Sequence, residues 1–406
     1  MPRRALPVLP ALLVAALATG QTNRIYLAPD DHTDYLWSGT VADHEQWIPQ
    51  MIDHYLDLND ATANNPAPYR NKWNCDGWYW VEIYKRNRPA AQFDRLIAQL
   101  QSGQMTVPLN GLVCTHGGNT TEGVIRSGYY AGRLQRQYGI DIPLAISMEN
   151  QTQPLGLASL WNGMGARYSW KGVCGCATQV TGLGQRQHEL YRYTGLDGSS
   201  VLMKWYSLTY NQGLGGYAEA FVPNAAVDQC LDKLNSGAFP HNYPYTVAGA
   251  FGRGWDNTLT LDSSFPTVAE ARSNATTQCH VSNMKDFFQD MEATYGGTLP
   301  SQSLSFGNEW DLDCASIAEV TGRMRRGIER LRSAEAVATL AARHDPAVWS
   351  NMAAQREQAH TAISLYWEHN LGGGGVVSAN DRALWQRGLE AQVTGYGTQL
   401  LDNALA

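Results

Sequence analysis

The stretch that decides the fold is Arg24-Ile25-Tyr26-Leu27-Ala28-Pro29-Asp30-Asp31-His32-Thr33-Asp34. A short, mostly apolar run of strand-forming character ends at a proline, which lacks the N–H that a sheet ladder needs. Polar and titratable residues follow at once. In parallel α/β architectures ligands bind at the carboxyl ends of the strands, so these residues are the first candidates for a site. His32 and Asp34 are separated by one residue. In an extended segment positions i and i+2 point to the same side, so both side chains can reach one cation. An imidazole with a carboxylate suits zinc.

The same rhythm continues outward from this segment. Apolar residues at a spacing of three to four predict helices over residues 44–58, 89–101 and 122–138, and again over 153–163. Short apolar runs at 78–84, 105–113 and 143–148 lie between them, the last two read as strands. Buried strands alternating with amphipathic helices predict a parallel α/β barrel or sheet. Past Cys314 the texture changes to long helical patterns near 316–342, up to Trp367, and over 381–401. Asp345-Pro346 and the glycine run after Leu371 break them. The expected organisation is a leader over residues 1–20, an α/β domain over 21–315 and a small three-helix bundle over 316–406. Arg323, Arg325, Arg326, Arg330 and Arg332 are expected on a solvated helix face, paired with Glu329 and Glu335.

Composition narrows the function classes. The 406 residues are 44% hydrophobic and 17% charged, which excludes intrinsic disorder. A net charge of −7 leaves no electrostatic footprint for nucleic acid. Thirteen Trp and 20 Tyr against 8 Phe are what surfaces that grip flat polar ligands such as sugars would need, although composition by itself favours the plainer reading of a Trp-rich core. The basic start at Arg3-Arg4, the apolar run over 5–18 and small residues at Ala16 and Ala18 fit a signal peptide, hence a secreted or periplasmic protein. No later segment is apolar enough to span a membrane. Seven cysteines allow up to three disulfides in an oxidising compartment.

Three further places carry candidate chemistry. The run Pro143 to Met148 delivers Glu149 and Asn150, glycines around Gly252-Arg253-Gly254-Trp255-Asp256 present Asp256, and Trp367-Glu368-His369-Asn370 ends a helix. Alone, each has a plain structural reading: a solvated strand-end carboxylate, a turn cap, a histidine favoured at a helix C-terminus.

Taken in order, these motifs resemble the glycoside hydrolase family 38 α-mannosidases. The family opens with a strand into His-x-Asp-x-x-Trp, matched by His32, Asp34 and Trp37. Trp80-Val81-Glu82, Gly103-Gln104, Ala158-Ser159-Leu160, Met164-Gly165, Gly254-Trp255-Asp256, Leu299-Pro300 and Gly307-Asn308-Glu309-Trp310 resemble its later landmarks, and His369-Asn370 its His-Asp ligand motif. The resemblance implies an irregular parallel (β/α) barrel of the glycoside hydrolase/deacetylase type. It implies a carbohydrate substrate and one Zn²⁺ held by His32, Asp34, Glu149 and His369. Glu149 then stands at the nucleophile position and Asp256 at that of the acid/base in a retaining mechanism. Trp37 would floor the sugar, with Asp31 and Asn370 beside it. Two departures stand out: the family uses Asp where this chain has Glu149, and its members carry large β-sandwich domains after the bundle. A non-catalytic carbohydrate-binding protein with the same metal pocket is the alternative. A zinc deacetylase would need His-x-x-x-His, a spacing this sequence lacks.

Overall fold

The decisive strand forms as expected. In the computed structural model β1 spans Asn23–Ala28, and its last four residues are buried. The structure describes residues 22–148, 152–172, 188–205, 218–236, 243–252, 262–305, 313–371 and 373–406. The leader expected over residues 1–20, together with Glu149, Asn150, Asp256 and Gly307 to Trp310, lies outside these.

After β1 come α1 (Val41–Ala61), β2 (Trp73–Asn74), α2 (Trp78–Asn87), α3 (Ala90–Ser102) and β3 (Met105–Thr106). Next are α4 (Thr121–Ser127), α5 (Tyr129–Tyr138), β4 (Leu144–Ile146), α6 (Leu157–Gly163) and β5 (Tyr168–Trp170). A hairpin of β6 (Leu190–Thr194) and β7 (Ser200–Lys204) precedes α7 (Pro223–Ser236), β8 (Val247–Phe251), α8 (Phe265–Arg272), β9 (Thr277–Val281), α9 (Met284–Tyr295) and β10 (Ser301–Gln302). The short α10 (Asp313–Ser316) starts the last part of the chain, followed by α11 (Ala318–Ala341), α12 (Ala353–Tyr366) and α13 (Ala379–Leu405).

This is a mixed α/β fold with parallel sheets. The described strands make three hydrogen-bonded sets, ordered β8-β1-β9, β10-β6-β7-β5-β4 and β2-β3. All pairings are parallel except the β6-β7 hairpin. The described ladders are therefore separate rather than one continuous ring. Proline explains part of the shortness. The strand expected over 105–113 stops at Thr106, because Pro108 has no N–H to donate. Single bonds carry the layout across the breaks: Asp30 bridges Asn74, and the Leu109 N–H donates to the Leu144 carbonyl at 2.8 Å. The strand β1 thus sits between β8 and β9, and its C-terminal end lies beside those of β2 and β3.

Helix patterning follows the same logic. The helix α1 starts three residues earlier than its periodicity suggests, because Thr40 and Asp43 form a reciprocal capping box. Its buried face is His44, Ile48, Met51, Ile52, Tyr55, Leu56 and Asn59. The helix expected over 122–138 is two, α4 and α5, with Gly128 between them. One apolar cluster lies under β1, β8 and β9 with α7 to α9. The other runs without interruption from Tyr35 and α1 to α3 into α11, α12 and α13, ending at Leu400. On α11 the expected charge pattern is partly redrawn. Arg332 pairs with Glu329 at 3.3 Å, whereas Glu335 faces Arg126 at 2.7 Å across the junction with α4.

Candidate metal centre

Three side chains from opposite ends of the chain meet at the end of β1. His32 Nε2 lies 3.2 Å from Asp34 Oδ1 and 3.2 Å from His369 Nε2. His369 Nε2 is 2.7 Å from the same Asp34 oxygen. All three residues are buried. Around a tetrahedral zinc with bonds near 2.1 Å, neighbouring ligand atoms stand about 3.4 Å apart. Two of the three separations come near that value and the third, 2.7 Å, is a hydrogen-bond distance, while the chemistry, two imidazoles and a carboxylate, suits a divalent ion.

Local folding explains the convergence. Beyond β1 the chain is held by Asn74, whose Nδ2 donates to the Pro29 carbonyl at 2.9 Å. Asn74 Oδ1 accepts from Thr106 Oγ1 at 2.5 Å and from the Met284 N–H at 2.9 Å. Trp80 Nε1 donates to Thr33 Oγ1 at 2.8 Å, so α2 pins the residue between the two ligands. After Asp34 the chain turns: the Trp37 and Ser38 N–H groups both donate to its carbonyl. Leu36 in that turn has φ 64°, a left-handed conformation unusual for a leucine, and it is held there although buried. On the far side, His369 follows the end of α12. The His369 N–H donates to the Val113 carbonyl at 3.0 Å and the Thr115 N–H to the Trp367 carbonyl at 2.7 Å. The loop after β3 thereby carries residues 367–369 into place.

Several carboxylates surround the ligands. Among the described residues Asp34, Asp76 and Glu368 face the two imidazoles, Glu368 also meets the guanidinium of Arg382, and Asp30 and Asp31 are buried in the chain just before His32. That excess of buried negative charge favours a cation. Burial would lower the pKa of His369, but Glu368 and Asp34 outweigh it and raise it well above the usual imidazole value. Burial pushes Asp76 up to about 6, against the opposing pull of His32. In the loop after β3, burial with help from the Lys171 charge drives His116 down to about 3, so it is neutral.

The residues singled out in the sequence divide as follows. His32, Asp34 and His369 come together. Asn370 joins them, its Nδ2 donating to Asp34 Oδ1 at 3.0 Å and to Glu368 Oε1 at 3.2 Å. Asp31 is buried and accepts from the Tyr55 hydroxyl at 2.6 Å. Trp37 lies at the rim with 38% of its surface exposed. Gly375 packs so closely on the Trp37 backbone that a Cβ there would sit 2.4 Å from the Trp37 carbonyl oxygen, and the Val376 N–H donates to that oxygen at 2.7 Å. Glu149 and Asp256 fall outside the described residues. Of the cysteines, Cys75, Cys114, Cys230 and Cys279 are buried free thiols. Sequence reasoning missed Asp76, Glu368, Arg382 and His116. The rule that found His32, a polar residue just past a short apolar strand, would have found Asp76 had Trp73-Asn74 been recognised as a strand.

Comparison with solved structures places the fold. An α-mannosidase from Enterococcus faecalis V583 matches 94% of this chain and 42% of its own, with a TM-score of 0.71 at 13% identity. A protein in the Glycosyl Hydrolase Family 38 from Enterococcus faecalis matches 95% of this chain and 40% of its own, with a TM-score of 0.62 at 14% identity. A 4-α-glucanotransferase from Thermococcus litoralis follows at 0.52, over 91% of this chain and 56% of its own, at 11% identity. By sequence alone, neither a family model nor a curated protein matches the chain. The chain spans about two fifths of the length of the first two structures. It has the fold of the family 38 structures whose motifs its sequence resembles, at a divergence that leaves the fold as the shared property.

Proposed function

We propose that the chain is a zinc-dependent retaining glycosidase of the α-mannosidase type, acting at the carboxyl ends of an irregular β/α barrel. The observation that carries this reading is the buried meeting of His32 Nε2, Asp34 Oδ1 and His369 Nε2 at the end of β1. Glu149, at the end of the run that contains β4, is the fourth ligand in this proposal. The glycosidase-like folds of the solved neighbours support a carbohydrate substrate.

A bound zinc ion would hold adjacent sugar hydroxyls and help distort the ring. The protein groups do the rest. Glu149 attacks the anomeric carbon and forms a glycosyl ester, while Asp256 gives its proton to the departing oxygen. Asp256 then takes a proton from water as that water cleaves the ester, which requires the two carboxyls about 5–5.5 Å apart. Trp37 at the rim stacks against the sugar face, and Asn370 keeps Asp34 oriented.

A second reading rests on one residue. Glu149 stands where the resembled family has Asp, and its extra methylene moves the carboxylate by up to roughly 1.5 Å. A carbohydrate-binding protein that keeps the metal and lacks turnover would tolerate that change. Hydrolysis of an aryl α-mannoside by the wild type and by Glu149→Gln separates the two. Turnover abolished in the variant supports the nucleophile, and turnover equal in both excludes it. A wild type that binds mannosides without hydrolysing them favours the second reading. Elemental analysis tests the centre beneath both: one metal per chain, lost in His32→Ala/His369→Ala.

A further inference from the structure

We propose that Asp76 and Glu368 are the positioning residues of this centre, two carboxylates that fix which nitrogen of each imidazole is turned toward the metal. The inference rests on the metal reading above and adds residues to it. A histidine has two nitrogens able to ligate, and the one that does is set by what holds the other.

Both imidazoles face carboxylates in the same sense, His369 within hydrogen-bond distance and His32 at longer range. His369 has Nε2 on Asp34 and Nδ1 2.7 Å from Glu368 Oε1. His32 has Nε2 on the same Asp34 oxygen and Nδ1 3.7 Å from Asp76 Oδ2. Each ring therefore lies between an inner carboxylate shared with the other and an outer carboxylate of its own. The outer pair is itself fixed. Glu368 accepts from Arg382 Nη1 at 3.2 Å and from the backbone N–H and side-chain amide of Asn370, both at 3.2 Å. Asp76 Oδ2 accepts from the Thr33 N–H at 2.9 Å, on the residue next to the ring it faces.

Asp76 is the more telling of the two. It is fully buried, and its Oδ1 has no hydrogen-bond partner among the described residues. A carboxylate needed only to cap the Thr33 N–H would be served by asparagine, with less charge to desolvate. Beside Nδ1 of a would-be ligand the buried charge has a use, because it makes Nδ1 the protonated nitrogen and leaves the Nε2 lone pair for the cation.

Competition against a chromophoric chelator measures the Zn²⁺ dissociation constant of the wild type, Asp76→Asn and Glu368→Gln. Unfolding midpoints in EDTA serve as the control for structure. Each substitution is expected to weaken zinc binding about 10–100-fold, with Asp76→Glu recovering part of the loss. Variants that bind as tightly as the wild type overturn the proposal. A wild type that binds no zinc overturns the metal reading itself, a different result. Should a variant fail to fold, histidine-selective ¹⁵N spectra of the zinc-loaded wild type decide. Protonated Nδ1 on both His32 and His369 supports the assignment, and metal on Nδ1 of either refutes it.

Discussion

Replacing Arg382 by methionine tests whether the last helix holds the candidate metal centre together. The Arg382 side chain is fully buried on α13 and makes three polar contacts with two other segments. Nη1 donates to Glu368 Oε2 at 3.2 Å and to the Asn370 carbonyl at 3.0 Å, and Nη2 to the Tyr35 carbonyl at 2.7 Å. Methionine keeps most of the aliphatic stem, so packing changes little and the charge is what disappears. Two unit charges about 3.2 Å apart attract by roughly 5 kcal/mol at an effective dielectric constant of about 20. Breaking a buried pair by removing one member costs about 3–5 kcal/mol, because the other charge is left uncompensated. Arg382→Met should therefore lose about 3–5 kcal/mol in guanidinium unfolding followed by tryptophan fluorescence, with EDTA present so that metal plays no part. Adding Glu368→Gln removes the orphaned charge, and the double variant should be more stable than the sum of the single losses by about 0.5–3 kcal/mol. A loss under about 1 kcal/mol in Arg382→Met, well below the range for a broken buried pair, or simple additivity in the pair, would refute the reasoning.

Other perturbations read the same structure from different sides. His116 is held near 3 when folded against about 6.5 when unfolded, so it stabilises the fold above pH 6.5 and that stability drains away as pH falls toward 3. By pH 4 the drain is on the order of 3 kcal/mol, and His116→Gln should flatten the wild type's stability loss between about pH 7 and 4 by that much; parallel curves would remove the assignment. Alanine at Gly375 drives a Cβ into the Trp37 carbonyl, so the thermal midpoint should fall by the equivalent of about 1–3 kcal/mol, whereas an unchanged midpoint means the Trp37 turn yields freely. Zinc at a hundredfold excess over its dissociation constant should stabilise the wild type by about 2.7 kcal/mol and the His32→Ala/His369→Ala variant not at all, a contrast that calorimetry resolves.

How much of the molecule is legible in its sequence depends on the range of each interaction. The strand Asn23–Ala28 and the polar turn after it are local, and apolar patterning with a proline stop is enough to read them. The meeting of His32 and His369 is not local: 337 positions separate them, and only the order of motifs resembling a known family brings them together. Helix ends depend on caps such as Thr40 with Asp43, which periodicity does not register. The supporting residues are hardest to see. Glu368 sits in a motif that draws attention to its histidine and asparagine. Arg382 is a basic residue in the first turn of a long helix, a position that ordinarily signals nothing, and only the packing of α13 shows what it holds.

That packing bears on how the centre can exist at all. Of the groups that converge on it, His32 and Asp34 follow the first strand, Asp76 the second, Glu368 and His369 the end of α12, and Arg382 comes from α13. The apolar cluster has the same span, from Tyr35 beside the ligands to Leu400 near the end of the last helix. The opening strands and the C-terminal helices thus both supply residues to the site. Without residues 367–382 the opening strands would deliver one imidazole and the carboxylates of Asp30, Asp31, Asp34 and Asp76 to a site with neither its second histidine nor its guanidinium, and burial of unpaired charge of that kind is strongly unfavourable. The C-terminal helices are therefore part of the centre's electrostatics as well as its geometry: they bring His369 to Asp34, and they set the guanidinium of Arg382 against Glu368 behind it.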